Sequence, residues 1–331
     1  MSAWFDGWRR VLAARAIVAG VYAATLLTAL PLALTMRGLI EADLGRSAMA
    51  DRAADGVNYD WWQEFTARAT GIGTTLTPSV IGFAATLDNV SSLLDGQREN
   101  VAVMAALATY LLVWTFLSGG ILDRYARQRP VRAHGFFAAS GVFFWRFLRL
   151  GLVAGLVYGF LFTYVHGWLF DDLYERMTRD LAVEREAFAW RAGLYLVFAG
   201  LLAVATTVFD YARIRTVVED RRSAIGSLLA ALGFIGRHPG RVAGLYLLNA
   251  LAFLVVMAVW AGVAPGAGGA GLSAWLGFVG SQCFVVARLL VKLQFLASQT
   301  ALFQRLLAHA GYTAAPAHVW PESPAAESLR T

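Results

Sequence analysis

One lysine and one cysteine are all that the 331-residue chain contains, beside eight prolines and only 15% charged residues. A single cysteine, Cys283, excludes an intrachain disulfide and a cysteine-rich metal site. Such scarce charge excludes an ordinary soluble domain, in which about a quarter of residues are charged. The usual motifs of chemistry are missing as well. There is no Gly-rich phosphate loop ending in Lys-Ser/Thr, no dinucleotide fingerprint, and no HExxH spacing among five histidines. No cofactor and no metal is expected, no catalytic residue is identified, and an enzymatic role is disfavoured.

What the chain has in excess is apolar surface. Hydrophobic residues make up 58% and the mean hydropathy is +0.56. A globule of this size needs more polar residues than that to cover itself in water, so the surplus must face lipid. The net charge of +6 is segregated by loop, a membrane pattern that does not point to nucleic acid.

Six stretches approach the roughly 20 apolar residues needed to cross a bilayer. They run from Ala16 to Met36, Val101 to Leu122, Leu150 to Phe170, Ala192 to Phe209, Val242 to Val263, and Leu272 to Lys292. Runs this continuous are helical, since barrel strands alternate. The fold class is therefore an all-α polytopic helical bundle with interfacial amphipathic helices. Arg9 and Arg10 before the first run have the look of a signal peptide. That run is too long for a signal core and lacks a small-residue cleavage site, so a retained first span is expected.

Arginine bias sets the orientation. The loop after the second span holds Arg124, Arg127, Arg129, Arg132, Arg146 and Arg149 against Asp123. The loop after the fourth holds Arg213, Arg215, Arg221, Arg222, Arg237 and Arg241 against Asp210, Glu219 and Asp220. On the other side, residues 37–100 carry five arginines against nine acids, and residues 171–191 four against six. Both termini are expected in the cytoplasm, with the protein multi-pass in a bacterial inner membrane.

Three regions follow. Residues 1–100 pair the first span with an outer segment, in which 76–94 reads as an amphipathic helix lying in the outer interface or packed on the bundle. Residues 101–312 form a five-helix core. Residues 313–331, rich in Ala and Pro, read as a disordered cytoplasmic tail. Within the core, Ile121-Leu-Asp-Arg-Tyr-Ala-Arg127 matches Val208-Phe-Asp-Tyr-Ala-Arg-Ile-Arg215, and Leu152-Val-Ala-Gly-Leu matches Arg241-Val-Ala-Gly-Leu. Each unit reads as a span, a basic turn, a cytoplasmic interfacial helix (Gly135 to Leu148, Ser223 to Ile235) and a returning span. This is a parallel tandem repeat over 101–190 and 191–271.

This layout, and the stretch from Asp210-Tyr-Ala-Arg-Ile-Arg through Asp220-Arg-Arg-Ser-Ala, resembles the membrane domain found beside some bacterial glycerophosphodiester phosphodiesterases. The resemblance covers roughly residues 100–310 and implies a lipid-associated or scaffold role. The chain has no room for the soluble catalytic barrel of those enzymes, so no catalytic residue is carried over.

Candidate contacts for lipid or ligand are few. Arg288 and Lys292 lie four apart on one helix face, where charge at the bilayer centre costs about 2.5–3.5 kcal/mol. Counted from Leu272, Arg288 falls in the inner third and Lys292 at the inner boundary, where both can snorkel to lipid phosphates. Trp145, Arg146 and Arg149 suit the headgroup layer. Asp123 and Asp210 each precede an arginine by three or four residues, the spacing of a helical ion pair. His166 and Asn249 read as polar contacts between helices. Three functions remain open: a non-enzymatic, lipid-associated scaffold or subunit of a membrane assembly; a small transporter or channel using Arg288 and Lys292; and a lipid-acting enzyme with acids such as Asp60, Glu64 or Asp88 at the outer interface. Partners would be membrane lipids, other membrane subunits or further copies of the chain.

Overall fold

Six helices of the computed structural model are long and apolar enough to cross a membrane. The structure describes residues 2–45, 47, 49–54, 58–76, 100–264 and 271–309. In chain order its helices are α1 (Ser2–Leu12), α2 (Arg15–Leu44), α3 (Ala50–Ala54), α4 (Tyr59–Arg68), α5 (Val101–Arg127), α6 (Ala133–Thr178), α7 (Glu184–Val218), α8 (Ala224–Arg237), α9 (Pro239–Val263) and α10 (Leu272–His309). The spans are α2, α5, α6, α7, α9 and α10, so the protein is a polytopic membrane helical bundle. Residues 77–94 of the expected interfacial helix and the tail from 313 lie outside the described residues.

Only 11–22% of each apolar window is buried within the chain. The rest, including Leu26, Leu30, Leu111, Leu156, Leu196, Leu251 and Leu254, points outward, as expected where lipid replaces a protein core. The true core gathers at one end, among Ile121, Leu122, Tyr125, Phe147, Tyr211, Ile214, Phe234, Leu293 and Phe303. The arginine-rich turns lie there too, and it is called here the basic end.

Small residues let backbones close on one another at two places. A Cβ at Gly120 of α5 would meet Ser140 Oγ at 2.6 Å and Phe136 O at 2.8 Å. A Cβ at Gly7 of α1 would meet the Ser298 backbone N of α10 at 2.8 Å. Gly120 seats α5 on α6; Gly7 seats the amphipathic α1 across the lower part of α10.

The returning helices differ from expectation in one unit. The stretch 135–148 is not a separate interfacial helix, because nothing from Arg146 to Gly151 interrupts the backbone ladder and α6 runs on into its span. In the other unit Pro239 supplies the break. It has no N–H to donate and disfavours a helical residue before it. His238 accordingly leaves helical geometry (φ −132°, ψ 43°), and Pro239 opens α9 at its first turn. Farther along, α6 passes through two wider-wound segments, Leu161–Val165 and Trp168–Leu173, on either side of His166.

Beyond α2, Asn58 accepts from Trp61 N to cap α4. Trp61 Nε1 donates to Asp43 at 2.7 Å, and Trp62 Nε1 donates to Leu76 O at 2.7 Å. The aromatic cluster of the outer segment is thus a brace between α4 and its neighbours. Glu64 pairs with Arg68 at 3.8 Å, and Asp88 lies outside the described residues.

Candidate intramembrane anion site

Helix α10 carries Arg288, Lys292, Phe295 and Gln299 at spacings of four, seven and eleven, which puts them on one face. Depth follows from its pairing with α9. Tyr246 packs on Phe295 at 5.4 Å and Trp260 stacks on Phe284 at 4.5 Å. The 14 residues from Tyr246 to Trp260 correspond to about 21 Å of rise, and Arg288 and Lys292 lie between these two contacts. From the basic end the answer is the same. Gln304 donates to Ala126 O at 2.8 Å there, and Lys292 is 12 residues, about 18 Å, higher. The count from Leu272 ends the span at Lys292, whereas the helix continues to His309 and both cations lie between the two ends of the apolar bundle.

The two cations line a groove of about 660 Å³ between α2, α5, α9 and α10. Its walls are mostly apolar, with Ala29, Leu32, Leu107, Phe253 and Val285 among them. Lys292 Nζ donates to the Tyr110 hydroxyl at 2.8 Å and lies 3.5 Å from the centroid of Trp114. Its positive charge thus has an oxygen and two ring faces to replace water. Arg288 is exposed to the groove, and its guanidinium rests 5.5 Å from the Phe284 ring. Among the described residues no carboxylate lies within ion-pair distance of Arg288 or Lys292.

Asp210 comes nearest along this face. It is buried on α7 and paired with Arg213 at 3.5 Å. Asp123 is also buried and pairs with Arg127 at 2.7 Å. Arg146 pairs with Asp220 and stacks on Phe143. Arg149 donates to Trp145 O at 3.3 Å, while the Trp145 ring points outward. The structure therefore brings Arg288 and Lys292 together, sets Asp210 below them, and leaves Asp123, Trp145, Arg146 and Arg149 at the basic end. Asn249 donates to Ser298 at 2.9 Å across α9 and α10. His166 packs against Phe170 and Phe198.

Residues essential to this arrangement escaped the sequence reading. Tyr110 and Trp114, four apart on α5, form the cradle of Lys292; their only local signal is two aromatics in an Ala/Leu run. Arg10 is another. It is buried, and its Nη1 donates to Tyr125 O and to Gln304 Oε1, both at 2.8 Å. Arg10 and Gln304 together satisfy last-turn carbonyls of α5 that the helix leaves open. Burial pushes the Arg10 guanidinium below its ordinary value, and Asp6 at 3.0 Å opposes that shift.

Among the described residues no three His, Cys, Asp or Glu side chains gather as metal ligands. Comparison with protein-family models, curated proteins and solved structures finds no match.

Proposed function

We propose that this integral membrane protein is a non-enzymatic, lipid-associated protein that holds an anionic amphiphile in the groove at Arg288. The observation that carries the reading is an arginine inside the bilayer, without a carboxylate partner among the described residues, on the wall of an apolar groove. A charge there costs free energy unless something neutralises it, and such residues usually mark a ligand path. An acidic head at Arg288 with a hydrocarbon tail along Leu107, Ala29 and Leu32 meets both needs. The resemblance to membrane domains beside glycerophosphodiester phosphodiesterases points the same way. We place the basic end in the cytoplasm and the protein in a bacterial inner membrane on arginine bias, and read residues 101–271 as a parallel duplication.

A second reading, a small transporter, draws on the polar face of α10 from Arg288 through Lys292 and Gln299 to Asp210. It would move its anion past Lys292, and Trp114 and Tyr110 occupy that route.

The test is the lipid that purifies with the protein. Extraction in mild detergent followed by mass spectrometry should find an anionic lipid enriched over the membrane average. Arg288→Gln should lose the enrichment while keeping its thermal stability. Equal lipid profiles for the two proteins would sink the reading.

A further inference from the structure

Among the described residues the groove is lined by two positive charges and no acid. Asp210 is paired with Arg213 at 3.5 Å, and the two act on Lys292 in opposite senses, so the groove keeps a net positive charge at Arg288 and Lys292. In a medium of low dielectric the occupant that balances them carries two negative charges at one point. Arg288 and Lys292 are one helical turn apart, about 6 Å of rise, which suits a single compact head rather than an extended polyanion.

The donors narrow the class. The Arg288 guanidinium is a planar fork that takes two oxygens of one phosphate. Lys292 spends one N–H on Tyr110, turns another to the Trp114 ring, and keeps one. The hydroxyls of Thr25 and Thr28 are turned to carbonyls of their own helix, Val21 O at 2.8 Å and Thr25 O at 2.9 Å. They turn their oxygens to the groove as acceptors, and the Tyr110 hydroxyl, which accepts from Lys292, keeps one O–H to donate. A zwitterionic head is disfavoured twice over. No acid lines the groove to meet its cation, and the Trp114 face that would receive a quaternary ammonium already holds Lys292 at 3.5 Å.

We infer that the groove selects a phosphate monoester carried on a hydrocarbon chain over a phosphodiester or zwitterionic headgroup, on the basis of an Arg288–Lys292 pair that no carboxylate among the described residues meets within ion-pair distance, above an apolar wall. A monoester bears about −1.5 to −2 at neutral pH, against −1 for a diester. The inference rests on the amphiphile-binding reading above and specifies its head.

The experiment is calorimetric titration of the full-length protein in an uncharged maltoside detergent. The probes are dodecyl phosphate, its methyl diester, dodecylphosphocholine, dodecanoate and inorganic phosphate. Dodecyl phosphate should bind at least about ten-fold more tightly than the diester, the zwitterion or the carboxylate, a gap of about 1.4 kcal/mol. Inorganic phosphate, which has no tail, should show no measurable heat. Arg288→Gln and Lys292→Gln should each erase the preference. If Lys292→Gln does not accumulate, Arg288→Gln decides alone, since among the described residues the Arg288 guanidinium makes no ion pair or hydrogen bond and rests on the Phe284 ring. Equal binding of the anionic chains, weakened alike by Arg288→Gln, overturns the monoester inference and leaves the amphiphile reading standing. Inorganic phosphate binding as well as dodecyl phosphate overturns the chain-borne ligand. Binding of no probe, or binding unchanged in Arg288→Gln, overturns both.

Discussion

Lys292, the only lysine of the chain, lies with its ammonium 3.5 Å from the centroid of Trp114 and hydrogen-bonded to Tyr110 at 2.8 Å. A desolvated cation–π contact contributes about 2 kcal/mol, and a hydrogen bond from a charged group about 1.5–3 kcal/mol. Together they offset the cost of a charge at this depth. Trp114→Leu, which strands the ammonium, should lower unfolding stability in detergent by about 2 kcal/mol or more. Lys292→Met removes the charge and its need for partners together, and should cost less. A Lys292→Met protein less stable than Trp114→Leu would contradict this account.

Arg215 and Glu219 form a buried ion pair at 2.6 Å, with side chains 10% and 5% exposed, and Arg215 also donates to Ala230 O of α8. Removing Arg215 leaves the buried Glu219 carboxylate with the part-exposed Arg221 as its remaining ion-pair partner among the described residues, at a cost of up to about 3–5 kcal/mol. Arg215→Met should therefore destabilise strongly, and Arg215→Met with Glu219→Leu should recover much of the loss. Denaturant unfolding of the two variants checks the sign.

Gly7 faces the Ser298 backbone, which has no side chain to rotate away. Gly7→Val should lift α1 from α10 while leaving the spans packed. Chymotrypsin should then cut at Trp4, Phe5 or Trp8 faster than in the parent. Unchanged cleavage would mean that α1 does not depend on the close approach.

Pro239 is the residue that separates α8 from α9. Pro239→Ala restores the missing N–H and should extend α9 through His238 into α8, as α6 already runs unbroken. Amide exchange at residues 237–241 should slow in the variant; exchange that stays fast would place the break elsewhere.

Orientation is open to direct labelling. In a Cys283→Ser background, Arg129→Cys should react with an impermeant maleimide only after the membrane is opened. Asp180→Cys should react on intact cells. The reverse pattern would invert the arginine-bias reading.

The spans were legible because a run of twenty apolar residues has one economical solution in lipid. Helix α1 is less legible: Arg9 and Arg10 give the segment the look of a signal peptide, although Ala3, Trp4, Gly7, Trp8 and Val11 trace a helical stripe. The break at Pro239 was visible, while the continuity of α6 past Arg149 was not, since a basic loop was expected to end a helix. Arg288 and Lys292 stood out as charges in an apolar run. Their depth and their partners did not, because Tyr110 and Trp114 lie nearly 180 residues away and only packing brings them to Lys292.

The central claim is that the guanidinium of Arg288 meets an anionic head within the bilayer. An experimental structure of the protein in nanodiscs made from its native membrane lipids tests it most directly. The account predicts density for a tailed ligand in the groove, with head oxygens within hydrogen-bond distance of Arg288 and the tail along Leu107 and Leu32. A groove filled only by neutral acyl chains, or an acidic side chain of the protein itself seated on Arg288, would contradict it.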